Sequence, residues 1–141
     1  MNSPGWLANI GDRGITSIEK AKEYIEDKYL PSYEDGLGNF GVVETMENKL
    51  IGTCGLYKRD TLDHPDIGFA FLPEYFGKGY AFECSMALKQ YALQELKLKK
   101  LYGFTLPNNE PSKKLLVKLG LELKGTYQFE DDPEELLLYS T

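Results

Sequence analysis

The residues best placed to do chemistry cluster in one stretch, Asp66-Ile67-Gly68-Phe69-Ala70-Phe71-Leu72-Pro73-Glu74-Tyr75-Phe76-Gly77-Lys78-Gly79-Tyr80-Ala81. Ile67, Phe69, Ala70, Phe71 and Leu72 make a nearly unbroken apolar run, expected as a strand covered on both faces. Pro73 ends it. Gly77-Lys78-Gly79 then turns the chain into a long helical pattern. A glycine turn at a helix head leaves backbone N–H groups without partners. The helix dipole adds partial positive charge there, so the place suits a phosphate. Gly77 and Gly79 let a bulky anion approach the backbone, and Lys78 adds a cation. A plain tight turn would use the same two glycines. The Gly-Lys-Ser/Thr ending of a P-loop is absent.

The spacing Phe76-Gly77-Lys78-Gly79-Tyr80-Ala81 resembles the pyrophosphate loop of the GNAT N-acetyltransferases, Gln/Arg-x-x-Gly-x-Gly/Ala. Phe76 stands where that pattern has Gln or Arg. The longer run from Tyr75 through Phe82 to Glu83 is similar to Tyr-Trp-Gly-Lys-Gly-Tyr-Ala-x-Glu of the ribosomal-protein N-terminal acetyltransferase branch. A second motif lies 30 residues beyond Gly79. Asn109-Glu110-Pro111-Ser112 and Val117-Lys118-Leu119-Gly120-Leu121 resemble the family's Asn-x-x-Ser … Glu-Lys-Leu-Gly-Phe signature. The resemblance implies acetyl-CoA as cofactor. Phe69, Phe71, Leu72, Gly77, Lys78, Gly79, Tyr80, Ala81, Asn109 and Ser112 would bind it. The amide of Asn109 can hold a pantetheine arm, or Asn109 can simply cap a helix.

Acetyl transfer from a thioester to an amine requires three things. The amine must lose a proton held with a pKa of about 10.4 if it is lysine-like. The carbonyl must be polarised, which backbone N–H groups near Phe69 to Leu72 could do. The leaving thiolate must be protonated. Many relatives use a tyrosine for that last step, where this chain has Leu116; Ser112 or a water is expected instead. Asp66 is nominated as base, against the alternative of a solvated residue at a strand start. His64 is a lesser candidate, and Glu83 is expected to complement the helix dipole. Lys113, Lys114 and Lys118 either approach the nucleotide end or line a solvated helix face.

Around these residues the sequence predicts one α/β domain over residues 1–141, a GNAT-like mixed twisted sheet flanked by helices. Residues 1–14 read as irregular. Thr16 and Glu19 read as a capping box, with Ile18, Ala21, Ile25 and Tyr29 on one helix face. Strands are expected over 40–46 and 49–58 as a hairpin, and at 101–106, 121–129 and 136–139. Helices are expected over 80–98 and 112–119, the first lined inside by Ala81, Cys84, Leu88, Tyr91 and Ala92. The family's usual first strand and helix would be missing, which touches acceptor binding more than cofactor binding.

Composition narrows the partners. With 22 acidic against 16 basic residues, the net charge of −6 gives no footprint for nucleic acid. No run of 18 apolar residues is present, so no membrane partner is expected. Cys54 and Cys84 have no metal-ligand spacing and read as free thiols in a reducing cytoplasm. The expected partner is an amine, either a small molecule or a protein N-terminus, with a homodimer left open. A non-catalytic acyl-CoA-binding or interaction module is the alternative reading.

Overall fold

The computed structural model describes residues 1–130 and 132–141. In chain order its elements are α1 (Pro4–Asn9), α2 (Ile18–Tyr24), β1 (Gly38–Glu44), β2 (Lys49–Tyr57), β3 (Asp66–Phe71), α3 (Tyr80–Gln90), β4 (Tyr102–Thr105), α4 (Glu110–Lys118), β5 (Glu122–Tyr127) and β6 (Leu136–Ser140). The six strands form one mixed sheet in the order β1-β2-β3-β4-β6-β5. β3 and β4 are parallel because α3 carries the chain across between them; every other neighbouring pair is antiparallel.

The period-2 alternation of the strands sorts side chains between two faces. Register pairs Leu56 with Ile67 and Ile67 with Gly103, which sets these positions on one face. Leu56 and Ile67 join Leu101, Leu116, Leu119, Leu121, Ala92 and Tyr139 in the buried core. Each fully buried leucine or isoleucine there contributes on the order of 1.5–3 kcal/mol. α3 and α4 both pack on this face, and the Lys89 ammonium of α3 donates to the Leu119 carbonyl at the end of α4, 2.5 Å away. The opposite face carries tyrosines and charge: the Tyr57 hydroxyl donates to Asn39 Oδ1 at 2.7 Å, the Tyr33 hydroxyl donates to the Asn39 carbonyl, and Phe104, Tyr127 and Phe129 pack ring to ring.

Four local expectations are corrected. Residues 1–14 are not all irregular: Ser3 caps α1, accepting from the Trp6 N–H, and Pro4 takes a first-turn position that needs no N–H donor. The cap of α2 is Ser17, not Thr16, because Ser17 is extended and accepts from the Lys20 N–H. The apolar stripe of α2 is not an inner face throughout, since Ile18 is 72% exposed and Ile25 is exposed as well. The helix expected over 80–98 stops being α-helical at Gln90 and continues as a π-helical turn, Tyr91–Glu95. That wider turn brings Ala92 inward while Tyr91 stays exposed, and Ser85 is the fully buried residue of α3. The run Glu130-Asp131-Asp132-Pro133-Glu134-Glu135 reads in the sequence as an acidic turn between the last two strands; its Asp131 lies outside the described residues.

Candidate active site

β3 is treated differently on its two flanks. Against β2 it is paired along its whole length, from Asp66 opposite Tyr57 to Phe71 opposite Gly52. Against β4 only Asp66 and Ile67 are paired, with Tyr102 and Gly103. Beyond Ile67 the two parallel strands part. Alternate backbone N–H and C=O groups of residues 68–71 therefore face a gap instead of a neighbouring strand. An extended ligand bearing amides could take the place of the missing ladder.

The gap opens toward the glycine turn. After β3, a 3-10 turn at Pro73–Tyr75 leads to Gly77 and Gly79, whose φ values are +70° and +89°. A Cβ on either glycine would meet nothing within 4 Å. Backbone conformation, not crowding, selects glycine at both. Gly79 is the cap residue of α3 and offers no side-chain acceptor, so the first-turn N–H groups of the helix stay available to an anion. Two ammonium groups flank the nearby Tyr75 ring, Lys78 at 5.4 Å and Lys49 at 5.5 Å from its centre. Lys49 was not legible as a site residue, because it starts a hairpin strand and only the sheet carries it to the turn. The Tyr80 ring packs edge-on against Tyr75, 5.8 Å apart, and Phe76 is exposed beside Gly5 of α1.

On the other wall, β4 ends at Thr105, which is buried, and its Oγ1 has no partner among the described residues. A buried hydroxyl without a hydrogen bond is costly, and Thr105 shares the helix-covered face with Gly103, two residues before it. Asn109 caps α4: its Oδ1 accepts from the Ser112 N–H at 3.3 Å. Its amide NH2 is not used in that cap. Ser112 is half-buried on the first turn of α4. Leu116 is 1% exposed and fills the core against the position where Gly103 lacks a side chain, so no acid acts from there.

Asp66 lies at the closed end of the gap and is 3% exposed. Arg59 holds it in a two-point pair, Nε donating to Oδ1 at 2.6 Å and Nη2 donating to Oδ2 at 3.2 Å. The guanidinium also stacks on Phe129, 4.6 Å from the ring centre. Burial pushes the Asp66 carboxyl up, and the Arg59 charge pulls against it. Both carboxylate oxygens are thus engaged, which restricts any part Asp66 takes in proton transfer. His64 sits half-buried in the loop before β3 with its ring against Tyr102. Lys113 is tied to the Pro107 carbonyl and to Glu110, and Lys118 lies 4.1 Å above the Phe82 ring.

A helix head with free first-turn N–H groups beside a parted pair of parallel strands defines the candidate site of this α/β domain. The chain belongs to the GNAT acetyltransferase domain family, which matches it over residues 5–122. It is 30% identical over 115 residues to the uncharacterized N-acetyltransferase YnaD of Bacillus subtilis (strain 168), covering 82% of this chain and 65% of that protein. The chain thus spans just under two thirds of that relative. In fold it is similar to an acetyltransferase from Agrobacterium tumefaciens, with a TM-score of 0.78 at 22% identity over 99% of this chain and 78% of the other. It is also similar to the ribosomal-protein-S5-alanine acetyltransferase of Vibrio fischeri, with a TM-score of 0.65 at 22% identity over 87% and 67% of the two chains. Among the described residues no helix is long and apolar enough to cross a membrane, and no three His, Cys, Asp or Glu side chains gather as a metal site.

Proposed function

We propose that this protein transfers an acetyl group from acetyl-CoA to a primary amine, by direct attack of the amine in a ternary complex. The observation that carries the reading is the parting of β3 and β4 beyond Ile67, next to a glycine turn with open space before it. The pyrophosphate would sit on the head of α3, with Gly77, Lys78, Gly79, Tyr80 and Ala81 around it and Lys49 nearby. The pantetheine arm would lie in the gap and complete the interrupted ladder at Phe69 and Phe71, with Leu72, whose N–H donates to the Ile51 carbonyl at 2.9 Å, beside it. The Asn109 amide would meet it from the β4 side. The thioester carbonyl would then lie against backbone N–H groups of β3, which stabilise the oxyanion as the amine attacks. Ser112 is the proposed donor to the leaving thiolate.

Asp66 is proposed as the charged group at the closed end of the gap. With both oxygens on Arg59, it holds the local field and the geometry of that face, and the amine arrives already deprotonated or loses its proton to water. The likeness of residues 75–83 to the ribosomal-protein branch, and the name of the V. fischeri neighbour, favour a protein N-terminus as acceptor. The alternative, an acyl-CoA-binding module without turnover, is favoured by the core leucine at 116. One experiment separates them: thiol release from acetyl-CoA with a panel of peptide N-termini and small amines, alongside calorimetric titration with CoA. Turnover on any amine supports the enzyme. Binding with no turnover across the panel supports the module, and absence of CoA binding sinks both.

A further inference from the structure

A second concave feature lies away from the gap. A cavity of about 430 Å³ opens between β1 and α3, lined by Phe40, Val42, Cys54, Cys84, Leu88 and Tyr91 among others. Cys54 projects from the helix-covered face of β2 and is buried at 3% exposure; Cys84 is half-buried, near the start of α3. Both cysteines line the same cavity. The Ser85 hydroxyl, next along α3, lies 3.5 Å from Cys54 Sγ, and Cys84 Sγ donates to the Ala81 carbonyl at 3.5 Å. Both sulfurs therefore meet at one cavity wall, one reachable and one shielded. This pairing plays no part in the proposed acetyl transfer.

We propose that Cys54 and Cys84 are a peroxide-oxidised pair, closing a reversible disulfide between β2 and α3 when a hydroperoxide enters this cavity. Cys84 is the attacking sulfur. It borders the cavity in the second turn of α3. The neighbouring Cys54 thiol lowers its pKa, whereas Cys84 beside it and burial push the Cys54 thiol up. The Cys84 thiolate attacks one peroxide oxygen, the O–O bond breaks, and the departing oxygen leaves as water or an alcohol after taking a proton. Cys84 becomes a sulfenic acid. Cys54 then attacks the Cys84 sulfur, the S–O bond breaks, and water leaves with the proton that Cys54 gives up. Two thiols lose two protons and two electrons, and the peroxide is reduced.

The test is mass spectrometry of the intact protein after brief treatment with hydrogen peroxide. The mass should fall by two hydrogens, recover fully with dithiothreitol, and map to a single Cys54–Cys84 crosslink. Cys54→Ala should instead leave Cys84 as a sulfenic acid trapped by dimedone, and Cys84→Ser should show no two-hydrogen loss and little dimedone adduct. Cys54→Ser repeats the first variant with a smaller change of volume, and circular dichroism verifies the folding of each. Crosslinking only between chains, direct passage to sulfinic acid in the native protein, or an unchanged mass would each overturn the proposal.

Discussion

The two flanks of β3 are made of the same strand and reach opposite outcomes. On the β2 side six residue pairs close the ladder, and small residues let the strands and their rings approach. A Cβ on Gly52 would come within 2.5 Å of the Ala70 carbonyl oxygen and 2.6 Å of the Phe71 ring. On the β4 side pairing stops after two residues, and Gly77 and Gly79, beyond the end of the strand, face open space. Gly52 is glycine because a neighbour fills the room, whereas Gly77 and Gly79 are glycine because the backbone turns left-handed and the room is vacant. A closed flank gives stability, and an open flank gives a place for something else to bind.

Substitutions can be chosen to break one flank at a time. The largest effect on folding should come from Gly52→Val, which drives side-chain atoms into a backbone carbonyl that cannot step aside. About 3 kcal/mol should be lost, the upper part of the range for overpacking, read as a lower midpoint in urea unfolding. A loss below about 1 kcal/mol would show that the closed flank yields more easily than its spacing implies.

Gly79→Glu attacks the other flank. Its cost to the unliganded fold should be only about 1–2 kcal/mol, from the positive φ. Its main effect should be on ligand linkage. With CoA at a hundredfold excess over its dissociation constant, the native protein should gain about 2.7 kcal/mol, and the variant almost none. A full thermal shift with CoA in this variant would reduce the glycine turn to a turn and remove the main support for the acetyltransferase reading.

Arg59→Met probes the point where the flanks meet. It leaves the buried Asp66 charge without its partner, and breaking such a pair costs up to about 3–5 kcal/mol. Arg59 is itself 43% exposed, so solvent screening should bring the loss to about 2 kcal/mol. The loss should depend on pH. Without Arg59 the folded-state pKa of Asp66 rises further above its unfolded value, so the variant is penalised only where the carboxyl ionises. The deficit should be small below about pH 4 and grow as pH rises through the new folded pKa. A deficit independent of pH between 4 and 7 would mean that lost packing on Phe129, not charge, is responsible.

The smallest and most discriminating change is at Asn109, whose cap and proposed ligand contact use different atoms. Asn109→Ser keeps a capping oxygen and loses the amide NH2. Unliganded stability should change by only a few tenths of a kcal/mol, while CoA affinity should fall by about 1 kcal/mol, roughly fivefold. Calorimetry showing unchanged affinity would make Asn109 a cap and nothing more.

The order and type of the main elements follow from local chemistry, and so they were readable in the sequence. Pro73, Gly79 and Gly120 punctuate strand and helix through backbone preferences that need no neighbours. The alternation of β2 and the run of β3 declare strands by themselves. The glycine turn and the Asn109–Ser112 stretch were legible for the same reason, since each motif is contiguous. Helix registers were less so. Thr16 and Ser17 are equally good caps, and only the conformation of Ser17 decided between them. No propensity marks the π-helical turn after Gln90, which places Ala92 rather than Tyr91 in the core.

What the tertiary structure alone decided are the relations between distant segments. That β3 parts from β4 after Ile67 is a property of two strands and the twist between them, and neither sequence carries it. Arg59 reaches Asp66 because a loop folds back on the strand it introduces. Lys49 comes to the glycine turn because a hairpin edge lies beside it, and Cys54 meets Cys84 because α3 crosses β2. Side-chain chemistry is written residue by residue, but proximity across the sheet is set by register and packing, which depend on every element at once.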